Sequence, residues 1–174
     1  MSRPLLIALI GPPGSGKTYL GQRIQAQLGL AFRDVERELV ERYGSRASFV
    51  KDKSAALAAL EGEVRERLAA SPVPVVIEST GLSDGPMLVR LGQEFPVLWI
   101  KVHAPRELCV ARVQSRGGGG NLSNDPQQAA EFHDFWLREV EPRYSFDLQV
   151  ANDGSADGAF LLELAARVEE RRRT

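Results

Sequence analysis

Eight consecutive residues, Gly11-Pro12-Pro13-Gly14-Ser15-Gly16-Lys17-Thr18, combine glycines, one lysine and one hydroxyl at a spacing that suits phosphate. They fit the pattern G-x-x-x-x-G-K-[ST] of a phosphate-binding loop. Gly11, Gly14 and Gly16 let the backbone curl until several N–H groups converge on one anion. Lys17 adds a mobile positive charge for the outer phosphates, and Thr18 a hydroxyl for Mg²⁺. The helix that starts at Lys17 brings the positive end of its dipole to the same point. Gly11 through Thr18, with the following Tyr19, form the expected nucleotide-contacting set. The expectation is a site for a nucleoside triphosphate, ATP with Mg²⁺.

Such a loop works only between a strand and a helix, and both are legible. Leu5–Ile10 is an uninterrupted apolar run before the loop. Leu20, Ile24 and Leu28 recur at helical spacing after it, and Gly29 is placed to end the helix. Further along, Ala31–Arg33 reads as a short strand and Asp34 to Tyr43 as a helix. Asp52 to Ala70 reads as a longer helix, with Leu57, Leu60, Val64 and Leu68 on one face. Val73–Glu78 reads as a buried strand. Asp84 is expected to cap a helix reaching Leu91. Pro96–Val102 is a strand, and Pro105 opens a helix to Arg116. Pro126–Glu141 is read as one helix, Phe146–Val150 as a strand, and Ala156–Arg171 as the last helix. Strands and helices alternate throughout, which predicts an α/β fold: a five-stranded parallel sheet with helices on both faces, three layers in all. Residues 1–174 are expected to form one domain. The glycine-rich patch from Gly117 to Asp125 is expected to be a lid.

In a parallel sheet the strand C-termini share one edge, and ligands bind in the crevice there. The polar residues that end the strands are therefore the candidates. Asp34 and Glu36 follow the second strand; one would organise Mg²⁺, the other recognise or deprotonate a substrate hydroxyl. A cap and a first-turn acid would use the same residue types. Glu78 ends an otherwise apolar strand, where a carboxylate is costly unless it serves a cation or a donor. Its expected place is near Mg²⁺ or the attacking group. Arg112 and Arg116 share one helical face before the glycines, suited to the nucleotide base and to the transferring phosphate. Lys17, Asp34, Glu36, Glu78 and Arg116 make up the expected catalytic set, and Thr18, Asp34 and Glu78 the metal set. Arg65, Lys51, His103 and His133 read as surface or structural residues, and Trp99, Trp136 and Tyr144 as packing.

Composition narrows the classes. The net charge is −1, so nothing draws the chain as a whole toward nucleic acid or a membrane. A single cysteine, Cys109, excludes an internal disulfide and a cysteine-based zinc site; it reads as buried filler. The N-terminal apolar run leads into a working loop rather than a cleavage site, and the expected compartment is the cytoplasm.

With these residues in view, the chain resembles the small P-loop kinases of the nucleoside-monophosphate-kinase-like group, shikimate kinases above all. The resemblance rests on GPPGSGKT, on Phe32-Arg33-Asp34-Val35-Glu36 leading to Glu41-Arg42-Tyr43-Gly44, on Cys109-Val110-Ala111-Arg112, and on Pro142-Arg143-Tyr144. It implies the strand order 2-3-1-4-5 and a lid that closes over ATP. It implies that Asp34 serves Mg²⁺ and Glu36 the acceptor hydroxyl, that Arg112 stacks on adenine, and that Asn152 lies near the base. The chain departs from the family at the acceptor side. Glu78-Ser79-Thr80-Gly81 stands where shikimate kinases carry a triple glycine. Ala55 to Glu61 holds no arginine, and Val140-Glu141 replaces a second one. A carboxylate-bearing acceptor needs those arginines. The E-S-T-G segment is similar to that of other P-loop kinases, including gluconate-kinase-like and antibiotic-phosphorylating enzymes.

The function expected from this reading is an ATP-dependent phosphotransferase acting on a small-molecule hydroxyl or phosphate acceptor. Three alternatives stand beside it: an ATP-binding regulatory protein without transfer activity, a polynucleotide-type kinase, and a GTPase switch. The last lacks an N-K-x-D motif and a D-x-x-G after the third strand.

Overall fold

The computed structural model describes residues 4–44, 48, 51–116, 126–154 and 157–173. Five parallel strands form one sheet: β1 Leu6–Ile10, β2 Ala31–Arg33, β3 Val75–Ser79, β4 Val97–His103 and β5 Leu148–Ala151. Their spatial order is β2-β3-β1-β4-β5. Strand β1 is therefore central, with Leu6 in register with Val75 on one side and Val97 on the other. Seven α-helices appear among the described residues: α1 Lys17–Leu28, α2 Val35–Tyr43, α3 Lys53–Ala70, α4 Gly85–Glu94, α5 Arg106–Ser115, α6 Pro126–Phe135 and α7 Asp157–Arg173.

The two-residue period of a strand divides β1 between two cores. Leu6, Ala8 and Ile10 point into a layer closed by Leu60, Val64, Leu88, Leu91 and Trp136. Ile7 and Leu9 point the other way, into a layer closed by Leu20, Ile24, Phe160 and Leu164. All five residues of β1 are inaccessible to solvent. Burial on both faces is why this strand reads as a continuous apolar run and not as an alternation. At one edge of the sheet, β5 alternates instead, with Leu148 and Val150 buried and Gln149 and Ala151 exposed.

The strand boundaries shift from the sequence reading for identifiable reasons. Strand β3 starts at Val75, because Pro74 has no N–H for the ladder and contributes only its carbonyl, to Ala31 N at 3.1 Å. It also runs one residue beyond Glu78, to Ser79, whose carbonyl accepts from Gly11 N at 3.2 Å. Strand β5 starts at Leu148; before it, the Asp147 side chain accepts from Trp99 N at 2.8 Å. The single helix expected over Pro126–Glu141 does not continue as an α-helix. It widens into a π-helical turn at Trp136–Val140 and tightens into a 3₁₀ turn at Glu141–Arg143. The wide turn lets both Trp136 and Val140 reach the core. Trp136 Nε1 then donates to Thr80 O at 2.7 Å. The lid expected at 117–125 lies outside the described residues.

Replacing Trp136 by Phe removes that donor and leaves the Thr80 carbonyl without it. We expect a loss of about 1–3 kcal/mol in urea denaturation. An unchanged midpoint would show that the bond is not part of the fold's stability.

Candidate active site

The loop between β1 and α1 is shaped by what packs against it. Gly14 has φ +78°, and a Cβ there would stand 2.2 Å from the Cys109 carbonyl oxygen. Gly16 has φ +89° and lies so close to Asn152 that a Cβ would meet Nδ2 at 1.8 Å. Both positions need glycine on two grounds, conformation and space. Gly16 is also the N-cap of α1 and supplies no side-chain hydrogen bond. The first N–H groups of α1 therefore point toward the crevice without a side-chain partner at the cap, the arrangement that binds phosphate.

Two side chains clamp the loop from the far side of the sheet edge. Arg112, on α5, donates from one guanidinium nitrogen to Gly14 O at 3.2 Å and from the other to Asn152 O at 2.8 Å. Asn152, directly after β5, donates from Nδ2 to Ser15 O at 3.1 Å and Gly16 O at 3.2 Å. Both residues belong to the expected nucleotide set, and the structure brings both to the loop. Here they hold its backbone carbonyls, so the N–H groups are left to face the crevice.

Lys17 is buried and its ammonium donates to Gly11 O and Pro12 O, each at 2.9 Å. Burial lowers its pKa, while the carboxylates of Glu78 and Glu36 oppose that shift and the Arg116 guanidinium adds to it. These charges therefore converge on one region. Thr18 Oγ1 donates to Glu78 Oε2 at 2.7 Å. The other carboxylate oxygen, Glu78 Oε1, is buried without a hydrogen-bond partner among the described residues, as is Ser15 Oγ. Asp34 caps α2 by accepting from Arg37 N at 3.0 Å. Its carboxyl also lies against Glu78. The cap position thus also places the Asp34 carboxyl beside Glu78.

Glu78 is 5% exposed. Burial pushes its pKa up to about 7, against the lowering effect of Lys17 and Thr18, and the neighbouring Asp34 carboxyl adds to the rise. No cluster of three or more His, Cys, Asp or Glu side chains suited to a metal occurs among the described residues. Two carboxyls and a hydroxyl are nevertheless the donor set that suits Mg²⁺, which keeps several waters and takes phosphate oxygens as further ligands. The donorless Glu78 Oε1 fits that use.

A cavity of ≈ 320 Å³ opens beside the loop, a size within the small-ligand range. Lys17, Thr18, Glu78 and Arg116 line one end of it, and Glu36 lines it from α2. Tyr19 is not part of this wall. It is 49% exposed, with the Arg23 guanidinium 5.8 Å from its ring centre. Arg65, read as a surface residue, pairs with Glu61 and Glu94. Trp99 and Tyr144 pack against each other with ring centres 5.5 Å apart, as expected of packing residues.

Several cavity residues escaped the sequence reading. Asp84 does take the N-cap position of α4, but its side chain makes no cap bond. It accepts from Ser79 Oγ at 2.7 Å and faces the cavity. Ser79 Oγ accepts in turn from Gly81 N at 2.6 Å. Lys53 lines the same wall and donates to Ser83 Oγ at 2.8 Å. The signal was the polar cluster Ser79-Thr80-Gly81-Leu82-Ser83-Asp84 directly after an apolar strand. It is visible only when that whole segment is read as a cavity wall.

The fold and the loop define a P-loop NTPase. Residues 7–131 match the AAA domain family, and the chain belongs to that family. It is also similar to shikimate kinases. A stretch of 79 residues is 43% identical to the shikimate kinase of Thermobifida fusca, covering 44% of this chain and 45% of that one. Against this relative and another of comparable identity, the chain spans about half of the relative's length. The shikimate kinase of Salinispora arenicola is 29% identical over 164 residues, 91% of this chain and 94% of the relative. Among solved structures, shikimate kinase from Acinetobacter baumannii in complex with shikimate superposes with a TM-score of 0.67 at 19% identity, covering 99% of this chain and 96% of the other. That likeness establishes the fold. No helix among the described residues is long and apolar enough to cross a membrane.

The raised pKa of Glu78 has a defined sign in stability. The ionised form is disfavoured inside the fold, so the group's contribution is full below the ordinary carboxylate value near 4.5 and is lost as pH rises through about 7. Between about pH 5 and about pH 8 the ligand-free protein should lose about 1–3 kcal/mol relative to Glu78→Gln in paired urea titrations. A gap between the two proteins that does not change with pH would contradict this burial of charge.

Proposed function

We propose that this protein is an ATP-dependent kinase that transfers the γ-phosphoryl group to a hydroxyl of a small molecule. The observation that carries the reading is the part-buried Thr18–Glu78 pair beside Asp34 and Lys17, in the lining of a cavity that Glu36 also lines. Glu36, an acidic residue in the lining of that cavity, supplies the group that an acceptor hydroxyl needs. The similarity to shikimate kinases supports the same class of reaction.

In this reading, the loop N–H groups and the start of α1 hold the phosphates. Lys17 leaves its two loop carbonyls for the outer phosphates. Thr18, Asp34 and Glu78 hold Mg²⁺, directly or through water. Bound there, the ion offsets phosphate charge. Glu36 orients the acceptor hydroxyl and takes its proton. The acceptor oxygen forms a bond to the γ-phosphorus as the bond from that phosphorus to the bridging oxygen breaks, and ADP leaves with the electron pair. Arg116, facing the same end of the cavity as Lys17, stabilises the charge that spreads over the transferring group. Arg112 and Asn152 act on the nucleotide side by holding the loop in shape.

Removing the Lys17 ammonium should lower the transfer rate by on the order of 10²-fold or more. Asp34→Asn should raise the Mg²⁺ concentration needed for half-maximal rate, whereas Glu36→Gln should lower the rate at saturating Mg²⁺. The assay is release of labelled ADP and labelled product at varied Mg²⁺. Identical Mg²⁺ curves for the Asp34 and Glu36 variants would defeat the division of labour, and full turnover in Lys17→Ala would defeat the kinase reading itself.

A further inference from the structure

The segment after β3 breaks a local rule. Asp84 stands at the N-cap position of α4, where an aspartate ordinarily accepts from the first N–H groups of the helix. Its side chain makes no such bond. The carboxylate turns instead to Ser79, accepting from Oγ at 2.7 Å, and it lines the cavity. A cap given up for another contact points to a use outside the helix.

The contacts around Asp84 fix where its carboxylate stands. Ser79 is buried, and its Oγ accepts from Gly81 N at 2.6 Å, which leaves the hydroxyl proton for Asp84. Tyr144 closes the turn from the other side. Its hydroxyl donates to Gly81 O at 2.6 Å. A Cβ on Gly81 would stand 2.8 Å from the Tyr144 ring, and one on Gly85 2.7 Å from its hydroxyl oxygen. The turn is therefore set before a ligand arrives, and the carboxylate with it.

Two ammonium groups act on this carboxylate. Burial raises the Asp84 pKa, while the Ser79 bond, Lys17 and Lys53 lower it. Lys17 belongs to the phosphate-binding loop, so Asp84 lies within electrostatic reach of the phosphates' place. Lys53 comes from α3 and lines the same cavity, donating to Ser83 Oγ at 2.8 Å. An ammonium carries three donors, and that contact uses one. Lys53 and Asp84 make no direct ion pair with each other.

The cavity wall thus presents a carboxylate, which only accepts, near an ammonium, which only donates. A hydroxyl does both. It can give its proton to Asp84 and offer a lone pair to Lys53, and both bonds are charge-assisted. Leu57, Leu82 and Phe132 line the cavity beside these groups and suit the carbon skeleton that carries the hydroxyl.

Resting on the kinase reading above, we propose that Asp84 and Lys53 form an acceptor subsite for a hydroxyl other than the one that is phosphorylated. The acceptor is then an alcohol with a second hydroxyl group. Asp84 selects it by taking the proton end of that hydroxyl, and Lys53 by donating to its oxygen.

The test is protein-observed NMR titration with Mg²⁺ and a non-hydrolysable ATP analogue present, so that binding is read without transfer. The probes are two matched trios. One is 1-phenylethane-1,2-diol, 2-phenylethanol and 2-methoxy-2-phenylethanol; the other is cyclohexane-1,2-diol, cyclohexanol and 2-methoxycyclohexanol. The second member of each trio lacks the second oxygen. The third keeps the oxygen and loses its proton. In at least one trio the diol should bind about tenfold or more tightly than both partners, the scale of one charge-assisted hydrogen bond. Asp84→Asn still accepts from Ser79 Oγ. It should shrink the advantage of the diol over the methyl ether to about twofold or less, with the affinity for the plain alcohol unchanged. Lys53→Met, away from the buried turn, should shrink the advantage of the diol over the plain alcohol in the same way. No advantage for either diol in wild type would overturn the proposal, as would failure of both diols to bind. Equal weakening of all three members of a trio by Asp84→Asn would also overturn it, since Asp84 would then act only as a structural partner of Ser79. An unchanged preference in folded Lys53→Met would remove the subsite as stated. Failure of the kinase reading looks different. The analogue and Mg²⁺ would then bind in the same way to wild type and Lys17→Ala, or the diols would bind with the expected preference and take up no labelled phosphate from ATP.

Discussion

A carboxylate that ends a buried strand next to a phosphate-binding loop is the constraint around which this protein is arranged. Glu78 sits at the C-terminal end of β3, beside the central strand, with one oxygen held by Thr18 and the other without a donor among the described residues. In an apolar sheet such a group is unfavourable, and burial shows in its raised pKa. A divalent cation with attached phosphates would remove that cost. The same interaction that destabilises the ligand-free site therefore favours binding, and it joins β3, the loop and α1 into one unit.

The rest of the fold serves that unit. The two cores on either side of β1 fix the height at which the loop leaves the sheet. Arg112 and Asn152 take up the loop's carbonyls, which turns its N–H groups the other way. Trp136 and Tyr144 hold the opposite wall by bonds to Thr80 O and, at 2.6 Å, to Gly81 O. Contacts to backbone carbonyls thus hold the loop on one side and the Thr80–Gly81 turn on the other.

Much of this was legible in the residues. The strand–loop–helix unit, the alternation of elements and the candidates Asp34, Glu36, Glu78 and Arg116 follow from local pattern, because loop chemistry and strand periodicity are local. The contacts of Arg112 and Asn152 with the loop carbonyls were not, since they join segments far apart in the chain. The π turn at Trp136–Val140 was hidden because what it serves, the burial of both Trp136 and Val140 in the core, is tertiary. Asp84 was read as a helix cap, which is what its position relative to α4 suggests. Its bond to Ser79 depends on how the segment folds back after β3. Tyr19, expected in the nucleotide set, is 49% exposed and does not line the cavity.

The central claim is that the oxygens of Glu78, Thr18 and Asp34 hold a divalent ion when nucleotide is bound. Electron paramagnetic resonance of Mn²⁺ in the presence of a non-hydrolysable ATP analogue measures this directly. Wild type should bind Mn²⁺ at a single site that tightens with nucleotide, and Glu78→Gln should weaken that binding by at least about tenfold while the loop still takes the nucleotide. Equal Mn²⁺ affinity in the two proteins would show that Glu78 is a structural partner of Thr18 and that the ion, and the chemistry built on it, lie elsewhere.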